Sequence, residues 1–90
     1  MSDRIMYRGT IEYLDVVVTS DVALTGAVEV SFDRETWHEA AWVGDPGTTR
    51  TARILLGDTI PLPAKSIDVY LRLTDHPEIP VVMAGRLTIA

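Results

Sequence analysis

The chain has 90 residues, no cysteine, 47% apolar residues and a formal net charge of −5. The absence of cysteine excludes disulfides and thiolate zinc sites, the apolar fraction excludes a disordered chain, and the acidic charge argues against a nucleic-acid-binding domain. No apolar stretch is long enough to span a membrane, and no signal peptide is visible. We expect one domain, residues 1–90, made in a cytoplasm.

The first fifth of the chain predicts an N-terminal arm followed by a long strand. Residues 1–9 are expected to form the arm, which becomes ordered around Ile5, Met6 and Tyr7. In residues 10–19, Leu14, Val16 and Val18 share one face, and the other face carries Tyr13, Asp15, Val17 and Thr19. This period of two is typical of a strand with one buried face.

The middle of the chain predicts three further strands separated by turns. Residues 27–32 and 37–43 alternate well enough to form a hairpin, and Asp33 between them suits an Asx-type turn, in which the carboxylate accepts backbone N–H groups. The Gly-Asp-Pro-Gly sequence at 44–47 is the strongest turn signal in the chain. Residues 48–56, rich in Thr and apolar residues, follow as the next strand.

The last third contains the clearest strand and a less regular end. Prolines at both ends of 61–63 predict an edge or crossing segment that lacks a full ladder of hydrogen bonds. Residues 67–74 alternate without interruption. A brief strand at 81–83, a bulge or bend at Gly85 and a final strand at 86–90 complete the pattern.

About seven short strands at this spacing predict an all-β sandwich or barrel. Because the strand pattern runs to the last residue, we expect a complete small protein. Parity on neighbouring strands assigns the shared core to Val28, Val30, Phe32, Ile54, Val69, Leu71 and Leu73.

Catalytic and metal-binding patterns are missing. The two histidines, His38 and His76, have no nucleophile in an elbow-like motif nearby in the sequence, so a triad is not indicated. His76 lies in Asp-His-Pro-Glu, 75–78, where a turn is a simpler interpretation than mixed metal ligation. Carboxylates such as Glu35 and Glu39 are expected to be solvated. We expect no enzyme, no metal and no cofactor.

Aromatic and basic residues are the candidates for a binding surface. Trp37 and Trp42 have opposite parity, so one should face the core and the other the surface, where it would serve as a partner-protein contact or a sugar platform. Arg50 and Arg53 form a basic, hydroxyl-rich strand in an acidic protein. They would meet an acidic partner or pair across strands with Glu29 or Glu39.

Several stretches resemble known proteins when taken together. These stretches are residues 27–33 with 37–42, residues 47–53, and residues 69–80 with the following Ala84-Gly85. The chain resembles short proteins from the structural gene blocks of tailed bacteriophages, especially those that infect actinobacteria, and the immunoglobulin-like modules of phage capsids, necks and baseplates. The resemblance implies a small immunoglobulin-like antiparallel β-sandwich that acts through its surfaces.

On this basis we expect a virion structural protein, most simply a minor capsid or decoration protein on the outside of the head. A neck, tail or baseplate module is the alternative within the class, and a carbohydrate-binding module is the alternative outside it. The expected partners are the major capsid protein or other virion proteins, in many copies, with self-association kept open. The candidate interface residues are Ile5, Met6, Tyr7, Trp37, Trp42, Arg50 and Arg53.

Overall fold

Seven β-strands make up the regular structure of the residues that the structure describes. The computed structural model describes residues 3–20, 24, 26–45, 47–73 and 81–90. No helix occurs in these residues, so none of them forms a helix long and apolar enough to cross a membrane. The strands are β1 (Arg4–Met6), β2 (Glu12–Thr19), β3 (Val28–Ser31), β4 (His38–Val43), β5 (Thr49–Leu56), β6 (Ile67–Leu73) and β7 (Val81–Ile89).

The strands form one continuous mixed sheet in the order β1-β7-β6-β3-β4-β5-β2. The all-β class and the count of seven are confirmed. The pairing differs from a purely antiparallel arrangement because β1 runs parallel to β7. The sheet is continuous because β4 changes partner along its length: residues 38–40 pair with β3 and residues 41–43 pair with β5. The sheet is therefore curled and barrel-like.

The core lies inside this curl and collects residues from the whole chain. Buried members of the predicted core are Val28, Val30, Ile54, Val69 and Leu71. Phe32 and Leu73 are only partly buried and pack against the others, because each lies at or just beyond the end of its strand. Both outer parts of the sheet add further buried side chains, namely Met6, Leu14, Val16, Ala52, Leu56, Leu87 and Ile89.

The predicted N-terminal arm is in part a strand. Residues 4–6 pair with Leu87, Thr88 and Ile89, one to one and in parallel. Backbone hydrogen bonds from Ala90 N–H to the Met6 carbonyl and from Arg8 N–H to the Ala90 carbonyl, at 2.8 and 3.0 Å, extend the contact. Because β1 is so short, it covers only the last part of β7.

β7 combines two segments that the sequence separates. The predicted strands at 81–83 and 86–90 form one strand with a bulge between them, since Val69 lies opposite Gly85 but the next residue, Tyr70, lies opposite Met83. The predicted irregularity at Gly85 is confirmed. A bulge bends the strand and strengthens its twist, which helps the sheet to curl.

Candidate functional site

The outward face of the β4-β3-β6-β7 part of the sheet carries a row of aromatic, basic and apolar side chains. Tyr70 and Arg72 alternate with the buried Val69 and Leu71, so they point away from the core. Met83 lies opposite Tyr70, and Val81 lies opposite Arg72. The Arg72 guanidinium lies over the Trp37 ring. We call this surface the front face, and its members are Trp37, Tyr70, Arg72, Val81 and Met83.

Arg72 organises the centre of the front face. Its guanidinium carbon is 4.4 Å from the centroid of the Trp37 ring. Its Nε donates a hydrogen bond of 2.9 Å to Glu29 Oε1, on the strand directly opposite. Both charged side chains are more than two-thirds buried. The Trp37 indole is consequently half-buried, with one ring face covered by a cation that is itself held in place.

A tight turn after β3 adds a second arginine. The Asp33 carboxylate accepts hydrogen bonds from the N–H groups of Glu35 and Thr36, both at 2.8 Å, and the Ser31 hydroxyl accepts one from Arg34 N–H at 2.9 Å. The predicted Asx-type turn is confirmed. The hydrogen bonds from Thr36 and Glu35, with a further one from Ser31, lower the pKa of Asp33 below its ordinary value of 3.8.

This turn places Arg34 beside the front face. Arg34 has a φ of 64°, a left-handed conformation that costs a residue with a side chain about 1 kcal/mol or more. Its guanidinium carbon lies 5.0 Å from the centroid of the Tyr70 ring. The guanidinium has no acidic partner among the ion pairs of the described residues. A cation that no described carboxylate neutralises therefore borders the face.

Trp42 lies on the other side of the sheet, as its opposite parity to Trp37 predicts. It packs against the core, and its indole Nε1 donates a 2.6 Å hydrogen bond to the Gly26 carbonyl. The Arg50 guanidinium lies 4.8 Å from its ring centroid and donates a 2.6 Å hydrogen bond to the Leu24 carbonyl. Trp42 and Arg50 thereby hold Gly26 and Leu24, which precede β3.

Arg53 is engaged within the β5-β2 part of the sheet. It binds the Asp15 carboxylate with two hydrogen bonds, of 2.8 and 3.0 Å, and lies 4.9 Å from the Tyr13 ring centroid. The hydrogen bond from Arg53 is the largest cause of the lowered pKa of Asp15. Cross-strand pairing with Glu29 or Glu39 is wrong, because the strand register places Asp15 directly opposite Arg53.

The candidate interface residues of the arm divide by parity. Ile5 and Tyr7 are 56% and 63% exposed, whereas Met6 is fully buried. Met6 therefore belongs to the core and offers nothing to a partner, while an interface role for Ile5 and Tyr7 stays a prediction. Trp42, Arg50 and Arg53 likewise have contacts within the chain.

Sequence reasoning identified Trp37 but missed its neighbours on the front face. The outward parity of Tyr70 and Arg72 is visible in the alternation of residues 67–73. Their closeness to Trp37 is not, because it depends on which strands pair and in which register. Val81 and Met83 were hidden by the bulge, which resets the parity of β7.

Metal ligands do not gather anywhere in the parts of the chain that the structure describes: no group of three or more His, Asp or Glu side chains is close enough to hold an ion. The predicted turn at 75–78, with His76, lies outside the described residues. His38 instead lies 6.2 Å from Phe32, ring centroid to ring centroid. No protein-family model, curated protein or solved structure matches this chain.

Proposed function

We propose that this chain is an immunoglobulin-like accessory structural protein of a tailed-bacteriophage virion, which docks on the outside of the capsid through its front face. The observation that carries the docking role is the composition of that face: Tyr70, Arg72 and Met83 lie on the adjacent strands β6 and β7, and the Trp37 ring lies against Arg72. The assignment to a virion is supported by the resemblance of the sequence to phage structural proteins.

The strand order supports an immunoglobulin-like arrangement. In that fold, the second, fifth and fourth strands of seven are neighbours in one sheet, and the third, sixth and seventh are neighbours in the other. Both groups occur here, as β2-β5-β4 and β3-β6-β7. The two groups are joined through the β3-β4 pair, and β1 lies beside β7.

The front face has the chemistry of a protein interface. Binding energy concentrates in Trp, Tyr and Arg side chains, and the centre of an interface is enriched in aromatics, Met and Arg. On the front face Arg72 is already ordered, because Glu29 and Trp37 hold it from two sides. Pre-ordering reduces the entropy lost when a partner binds. Many copies on one particle make a modest contact sufficient.

The half-buried state of the tryptophans supports protein docking over the sugar-binding alternative. A sugar ring stacks on an open aromatic face. Trp37 has Arg72 over its ring, and Trp42 has Arg50 over its ring. Neither tryptophan is among the exposed large apolar side chains of the described residues.

The test uses particles of the phage that encodes the chain, stripped of it and then incubated with purified variants. Met83→Glu changes an exposed side chain at the edge of the front face, and Trp37→Ala removes its aromatic anchor. Val43→Glu is the matched control, since Val43 is exposed on a strand end outside the face. We expect both face variants to lower the affinity for particles by about tenfold or more, with the control unchanged.

Occupancy is measured by quantitative mass spectrometry and located by electron microscopy, and the folding stability of each free variant is measured alongside. If electron microscopy shows the protein on the neck or tail, the docking role would stand, but its place on the virion would be the neck or tail and not the head. Full occupancy of both face variants would refute docking through the front face. Specific retention of the wild type on a glycan column would favour the carbohydrate-binding alternative.

A further inference from the structure

A groove runs between β2 and the first half of β7, where the curled sheet does not close. β2 is the last strand of the sheet and pairs only with β5 among the described strands. On the opposite edge, β1 pairs with β7 at residues 87–89 only. We call this opening the seam.

The described side chains that line the seam are all uncharged. It is a groove of about 220 Å³, formed on one side by Val16, Val17, Val18 and Thr19 and on the other by Leu71, Val82, Met83 and Ala84. Val16 and Leu71 are core residues, so the groove reaches the core. Val17 and Val82 at its rims are 55% and 51% exposed. The chain has a net charge of −5, yet this opening carries no charged side chain among its described lining residues. It is therefore suited to an apolar occupant.

The two rims also offer hydrogen bonds. The outer edge of an edge strand carries N–H and C=O groups that point away from the sheet, and they pair readily with a further strand. Here one such edge belongs to β2, and another to residues 81–85 of β7. A short extended peptide between them would satisfy backbone groups on at least one side and insert alternate side chains above Val16 and Leu71.

We infer that the seam receives an extended, uncharged segment of a partner protein, of about five residues, by β-strand addition. The segment would present apolar side chains at alternate positions, toward the groove. A second copy of this chain is a poorer occupant, because each copy has a net charge of −5 and edge pairing would bring two acidic chains together. The seam shares Met83 with the front face, but Trp37, Tyr70 and Arg72 do not line it.

The test is a titration with a capped synthetic peptide of about seven residues that alternates valine and threonine, followed by amide NMR shifts of the full chain. We expect shifts confined to β2 and to residues 81–85. A control peptide with a central proline, which lacks one donor and cannot extend the ladder, should bind at least about tenfold more weakly.

Variants of the chain complete the test. Lysine on an edge strand opposes the addition of another strand, so Val17→Lys and Val82→Lys should each weaken peptide binding by about tenfold or more. Val43→Lys, outside the seam, and Trp37→Ala, on the front face, should bind as the wild type does. No shift at millimolar peptide, or shifts elsewhere, would overturn the inference. If the chain instead self-associates as its concentration rises, with shifts at the same amides, the occupant of the seam is a second copy of the chain. That result would also refute the inference.

Discussion

Single arginines carry much of the organisation of this small protein. Each of four guanidinium groups lies 4.4 to 5.0 Å from the centroid of an aromatic ring. Such contacts contribute about 0.5–1 kcal/mol at exposed sites. The pairs are Arg34–Tyr70, Arg50–Trp42, Arg53–Tyr13 and Arg72–Trp37. Two of them build the front face and two stabilise the remainder of the sheet, so residue type alone does not identify a binding role.

Leu71 tests the core at the scale of one side chain. It is buried beneath the front face and lies opposite Val30 in the ladder. Leu71→Ala should destabilise the protein by about 2–5 kcal/mol, because it removes buried apolar surface and leaves a cavity. The urea midpoint measures the effect. Val43→Ala is the exposed control and should stay within about 0.5 kcal/mol of the wild type. Equal midpoints for the two variants would contradict the placement of Leu71 in the core.

Asp33 tests the turn that positions Arg34. Hydrogen bonds from Thr36 and Glu35 lower its folded-state pKa below the ordinary 3.8. The charged carboxylate therefore stabilises the fold above the unfolded-state pKa, and this contribution is lost as the pH falls through the folded-state value. The free energy of unfolding of Asp33→Asn should be lower than that of the wild type at pH 7, and this difference should disappear in strong acid. Urea unfolding across this pH range measures the difference. A difference that does not change with pH would exclude a role for the charge.

At the scale of elements, β1 is both an edge strand and part of the core. Its alternation places Met6 inside and Ile5 outside. A deletion of the arm would therefore remove core packing as well as any interface, and it would confound folding with docking. Single substitutions separate the two effects.

Met6 and Ile5 provide a matched pair for this element. Met6→Ala should destabilise the fold by about 2–5 kcal/mol, whereas Ile5→Ala should change it by no more than about 0.5 kcal/mol. Thermal and urea unfolding measure both. If Ile5→Ala nevertheless lowers occupancy on particles, β1 contributes to docking. A stable Met6→Ala variant would show that β1 is not packed against the core in solution.

At the scale of the whole molecule, the first and last strands are neighbours. β1 pairs with β7, and β2 pairs with β5 across the 29 intervening residues 20–48. Contacts between distant parts of the chain slow folding, because loops must close before the contacts stabilise the structure.

Refolding of the whole chain should therefore be slow for its size. We expect relaxation in the range of about milliseconds to seconds, typical of all-β domains with non-local pairing. Stopped-flow fluorescence of Trp37 and Trp42, both half-buried, measures the rate. Trp37→Phe and Trp42→Phe variants should give the same rate if folding is cooperative. Refolding in microseconds would be incompatible with this topology.

Alternation of apolar residues was enough to predict the class, most strand positions and the inward side of each. It placed Val28, Val30 and Leu71 inside, separated Trp42 from Trp37, and marked the turn at Asp33. These features are local, since a strand buries every second side chain whichever strand lies beside it.

Strand partners and registers emerged only from the folded chain. Any strand edge can pair with any other, so the hydrogen-bonding groups of β4 do not reveal that it joins two halves of one sheet, or that β1 adds in parallel. The pairing of Arg53 with Asp15, the position of Arg72 over Trp37 and the open seam beside Val17 all depend on that choice. The binding surfaces of this protein are consequently properties of its tertiary structure, because each is assembled from strands far apart in sequence.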